Sequence, residues 1–182
     1  MKTHRWTLPL LACAGLWTCA AWASVAVRLS LAELSVDAER VVVAQLVRSQ
    51  AAWDADGRRI FTSHEFHVEQ ELAGAGPDTF HLVQPGGAVG RLAQVAHGYP
   101  IFRAGESVLL FLQPRAPGSD ELRVVGLSQG VFALVAGAGG ARLRQRLEGL
   151  SFQGASAEPL ELGWQEALEG IRAARRAAGV EP

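Results

Sequence analysis

Cysteine, lysine and methionine are almost missing from this 182-residue chain. Both cysteines (Cys13, Cys19), the only lysine (Lys2) and the only methionine fall within residues 1–23. In that stretch Lys2 and Arg5 make a short basic region, residues 6–16 an apolar region, and Ala21-Trp22-Ala23 a small-x-small site before Ser24. The order is that of a secretory signal peptide cleaved after Ala23. Its apolar core is shorter than the roughly 20 residues needed to cross a bilayer. Leu10-Leu11-Ala12-Cys13 also offers a cysteine for lipid attachment, after a very short apolar region.

Cleavage there leaves residues 24–182 without a thiol. A disulfide scaffold, a thiolate metal site and a cysteine nucleophile are thereby excluded, in a secreted or periplasmic setting that would permit disulfides. Stability has to come from a core. An excess of positive charge is missing as well: the 17 basic residues less Lys2 and Arg5 leave 15 against 18 acidic ones, mixed along the chain. A nucleic-acid partner, which needs a basic stripe, is not expected, nor is a membrane once the signal is removed. Repeats with the 20–50-residue period of solenoids are also lacking, so residues 24–182 read as a single domain.

What is present is β patterning. Gly105-Glu106-Ser107-Val108-Leu109-Leu110-Phe111-Leu112-Gln113 carries an unbroken apolar run that ends at Pro114, too short for a freestanding helix and without polar alternation. It reads as a central strand with protein on both faces. Residues 41–47 are dense and β-branched, and Asp54-Ala55-Asp56-Gly57 supplies turn chemistry. Between Ile60 and Leu72 the chain alternates, with Ile60, Thr62, His64, Phe66 and Val68 on one face and Phe61, Ser63, Glu65, His67 and Glu69 on the other. Further strands are expected at 79–83, 122–125 and 131–135, and a strand is favoured for the first half of 142–150, where helical spacing also fits. Ser30 with Glu33 caps a short N-terminal helix, and Leu160, Trp164, Leu168 and Ile171 mark a C-terminal one. The fold class expected is mainly β: an antiparallel barrel or barrel-like sheet with a short N-terminal helical turn and a C-terminal helix.

The run at 41–47, Trp53-Asp54-Ala55-Asp56-Gly57, Pro85-Gly86-Gly87, Phe102-Arg103-Ala104-Gly105-Glu106, and Val124-Val125-Gly126-Leu127 with Gly130 together resemble uncharacterised secreted bacterial proteins with a small β-barrel. The resemblance implies an oligonucleotide-binding-type or netrin-like barrel. Netrin-like metalloprotease inhibitors act through a disulfide-tied N-terminal cysteine, so their mechanism does not carry over to a chain without thiols.

Candidate chemistry is sparse. Gly126-Leu127-Ser128-Gln129-Gly130 matches the G-x-S-x-G of a nucleophile elbow, but that elbow needs a following helix and a later histidine. Here a strand follows, and the last histidine, His97, lies upstream. His64 and His67 point to opposite faces of a strand and cannot chelate one ion. His67 and His81 would meet only if their strands pair, and the histidines otherwise read as solvated surface residues. Gly86-Gly87-Ala88-Val89-Gly90 lacks the Lys and Ser/Thr of a phosphate loop. No catalytic residue, metal or cofactor is assigned.

The stretch from Gly86 to Gly105 lacks strand periodicity and is long for a connection, with a helical turn expected over 91–97. Its Arg91, His97, Tyr99 and Phe102 combine apolar contact with hydrogen bonding, as interface anchors do. They are the candidate binding residues of a non-enzymatic interaction module whose partner would be another exported protein. A hydrolase of unrecognised type is the alternative.

Overall fold

A computed structural model describes residues 24–137, 140–152 and 158–180. The segment read as a signal peptide, 1–23, lies outside the described residues. In chain order come β1 (Ser24–Ala26), α1 (Leu31–Asp37), β2 (Arg40–Trp53), β3 (Ile60–Ala73), β4 (Thr79–Pro85), β5 (Gly87–Val89), β6 (Leu92–Gln94), β7 (Ser107–Pro114) and β8 (Leu122–Val124). A 3-10 turn over Leu127–Gly130 leads to β9 (Val131–Gly137), β10 (Gly140–Gln145), β11 (Leu150–Phe152), β12 (Glu161–Gly163) and α2 (Trp164–Ala178).

Five of these strands close on themselves in the order β7-β2-β3-β4-β8, with β8 pairing back to β7. All pairs in the ring are antiparallel except β4 with β8, so the barrel is mixed. That parallel contact is one residue pair long, Leu82 opposite Leu122. The apolar run holds the centre: β7 pairs with β2 along one edge and shares its other edge between β9 at Val108–Leu110 and β8 at Leu112–Pro114. Because side chains alternate, Val108, Leu110 and Leu112 fill the barrel with Val42, Ala44, Leu46, Phe66, Phe80 and Leu82. Leu109 and Phe111 face the other way, into a second apolar layer with Val41, Val43, Phe132, Leu143, Ala167 and Ile171.

The two helices cover that second layer, on the outer face of the sheet. Ser30 and Glu33 form the expected capping box of α1. The buried Arg175 of α2 donates from Nη1 to the Ser35 and Ala38 carbonyls at 2.9 and 2.7 Å, satisfying the end of α1. Inside the barrel the two ends differ. At one end the buried Arg40 fills the lumen over the Phe80 ring, held by Glu71 with contacts of 2.7 to 3.2 Å. At the other end the inward residues are Thr62, His64 and Gln84, and the chain from Gly86 to Glu106 passes over them. No described helix is long and apolar enough to cross a membrane.

The helical turn expected over 91–97 is not formed. Residues 87–94 make a hairpin instead, β5 antiparallel to β6 with Val89 opposite Leu92. Gly90, at φ 60°, takes the positive-φ place in its two-residue turn, and the pairing of Leu92 and Gln94 with Val89 and Gly87 commits these residues to a strand.

Candidate functional site

The segment following this hairpin is strapped across the open barrel end at several points. The Gln94 amide stands in for missing backbone pairing: its Oε1 accepts from the Ile60 N–H at 2.7 Å and its Nε2 donates to the Arg58 carbonyl at 3.1 Å. The Ser128 N–H donates to the Gly98 carbonyl at 3.0 Å. Arg146 reaches out of the second layer and donates to the Ile101 carbonyl at 2.8 Å and to both carboxylate oxygens of Glu106 at 3.1 and 2.7 Å. Burial pushes the Glu106 carboxyl up, but the Arg146 and Arg103 hydrogen bonds and the two positive charges outweigh it and hold it below the ordinary range. Phe102 then drops onto the barrel contents, edge-on to His64 at 5.1 Å and to Phe66 at 5.0 Å.

Beneath the strap lies a cleft of about 310 Å³. Its floor is the inner face of β3 and β4, where Thr62 lies directly opposite Gln84 and His64 opposite Leu82. His64 is 8% exposed, and its Nδ1 lies 2.7 Å from the Ser49 hydroxyl. Burial lowers its pKa, disfavouring the charged ring. Gln84 is 7% exposed, yet its side-chain amide makes no hydrogen bond among the described residues. Among the described residues the buried side-chain polar atom without a partner is Arg40 Nη1, so the Gln84 amide opens to the cleft, and both of its ends are available to whatever enters there. The rim is aliphatic: Val95 is 81% and Ile101 67% exposed.

A second cleft, of about 260 Å³, opens in the seam where β4 and β8 separate beyond their single pair. Gln84, Tyr99 and Pro100 border both clefts.

Of the four anchors read from the sequence, the structure brings His97, Tyr99 and Phe102 together around the first cleft. Arg91 stands apart, exposed on the β5–β6 turn. Sequence reasoning missed the floor. Thr62 and His64 interrupt the apolar face of β3, which was the available signal, and the reading of His64 as a solvated surface histidine is corrected by its burial. The other two strand histidines lie near each other on the outer surface, His67 opposite Thr79 and His81 opposite Glu65. Among the described residues, three metal-ligating side chains gather nowhere.

The G-x-S-x-G stretch is a brace. Ser128 is fully buried, with its hydroxyl donating to the Glu148 carbonyl at 3.3 Å, and a strand follows it. A side chain at Gly130 would strike the Val125 carbonyl, so the second glycine of the pattern is demanded by close packing. Gln129, also buried, accepts from the Leu29 N–H at 2.8 Å and donates to the Val27 carbonyl at 3.0 Å.

The fold and cleft thus define a mainly β, five-stranded closed barrel with a strapped cleft at one end. Comparison with family models, curated proteins and solved structures finds no match to this chain.

Proposed function

We propose that the protein is an exported, non-enzymatic binding module that receives part of another exported protein in the cleft at the barrel mouth. One observation carries this reading: a Gln84 amide that makes no hydrogen bond among the described residues and opens to the cleft floor, beside the buried His64 and below an exposed aliphatic rim. A polar floor under an apolar rim suits an inserted uncharged side chain better than a reaction: the one hydroxyl–imidazole pair at the floor, Ser49 with His64, has no third group orienting the ring among the described residues. The ring order β7-β2-β3-β4-β8 is compatible with the oligonucleotide-binding-type or netrin-like barrel that the sequence resembles. Secretion rests on the signal-like segment alone. A serine hydrolase would need Ser128 to meet substrate, and its full burial argues against that.

The test is a photo-crosslinker placed at Ile101 in the exported protein, in wild type and in Gln84→Leu. The expected result is an adduct with an exported protein that the leucine variant loses. Replacing an unpartnered amide by an apolar group should leave the unfolding midpoint unchanged or higher, so loss of the adduct cannot be assigned to unfolding. An adduct formed equally by a folded Gln84→Leu variant, or none at all, overturns the reading.

A further inference from the structure

The seam cleft has a charge pattern that the mouth cleft lacks. Arg115 and Arg123 line it and no acidic side chain does. Arg115 is already committed, donating to the Val83 carbonyl at 2.7 Å and pairing with Glu121 at 3.1 Å. Arg123 is exposed and enters no ion pair among the described residues. Gln84, with Tyr99 and Pro100, links this cleft to the mouth, and its amide makes no hydrogen bond among the described residues. Leu127 also lines it, the one described non-glycine residue in the left-handed region, at φ 60°. Such a conformation persists only where its surroundings impose it.

We propose that the seam cleft is a carboxylate subsite continuous with the mouth: an extended polypeptide spans both clefts past Tyr99, setting an uncharged amide-bearing residue against Gln84 and a carboxylate against Arg123. This deepens the reading of the mouth as a protein-binding cleft and rests on it. A guanidinium at an uncompensated site pairs with a carboxylate in a planar, two-point contact. The partner does not enter as an added strand, because β4 ends in Pro85, which has no N–H to offer along the seam. A nucleic-acid strand would want successive aromatic platforms and several cations; Tyr99 is the one aromatic residue of the seam, and the exposed rim residues of the mouth, Val95 and Ile101, are aliphatic.

The test is an array of random decapeptides probed at about 150 mM salt with wild type, Arg123→Gln and Gln84→Leu. Wild type should select peptides carrying Asp or Glu a few residues from Asn or Gln. Arg123→Gln, an exposed change that leaves folding intact, should lose that acidic enrichment by about fivefold while keeping the dependence on Gln84. If Gln84→Leu weakens binding but Arg123→Gln selects the same acid content, the carboxylate subsite is refuted and the mouth reading stands. If neither change alters selection, both fall. Displacement of the selected peptides by a thymidine dodecamer would instead make the seam a nucleic-acid contact and overturn the assignment.

Discussion

His64 holds one ring nitrogen 2.7 Å from the Ser49 hydroxyl, and its ring packs in a T-shaped pair with Phe102. Because burial depresses the His64 pKa in the folded chain, protonation favours the unfolded state, where the value returns to about 6.5. Its contribution is therefore complete above that value and is lost progressively as pH falls below it. Thermal unfolding between pH 7.5 and 5 should show a midpoint that drops on acidification, and His64→Gln should flatten that slope. At this same scale the letters of a motif proved an incomplete guide. Ser128 and Gly130 spell a nucleophile elbow, but one is a buried donor to a carbonyl and the other a space for Val125. The absence of a downstream histidine was legible; the bracing role, which depends on Glu148 and Gly98, was not.

Elements came through the sequence in proportion to their length. The strand β3 and the helix α2 declared themselves by period, and β2 by the β-branched density of residues 41–47, the first half of its span, whereas β5 and β6 are three residues each and too short to show any pattern. Their pairing depends on a two-residue turn and on the distant Gln94–Ile60 contact, which no local pattern reveals. The strap has an identifiable fastening in Arg146 and Glu106, whose side chains are 7% and 18% exposed. Removing one partner of so buried a pair costs about 3 kcal/mol. Arg146→Ala should lower stability by about that amount, and hydrogen exchange should accelerate first over residues 98–104. The helix layer gives a second element-scale prediction. Trp164 is half-buried against the outer core, so Trp164→Ala should cost about 2 kcal/mol, less than the 3–5 of a fully buried aromatic. An unchanged denaturation midpoint would mean that α2 is not docked through its first turn.

For the molecule as a whole, a mainly β barrel with a terminal helix was readable from the alternation along β3, the unbroken apolar runs of β2 and β7, and the helical spacing of α2. The site was not, since its floor exists only once the β3–β4 register sets Thr62 against Gln84, 22 positions along the chain. The manner of closure has a mechanical side. Four junctions of the ring are ladders of several residues, and the fifth is a single clasp at Leu82 and Leu122, steadied by the Arg115 contact to Val83. A hoop fastened so unevenly resists distortion everywhere except at its fastener. Amides around 82 and 122 should therefore exchange through a smaller opening than those of 108–112, which native-state hydrogen exchange would resolve. Gln84 sits two residues from the clasp and belongs to both clefts. Unclasping the hoop would merge them into one trough, making the width of the entrance a property of the barrel's weakest joint.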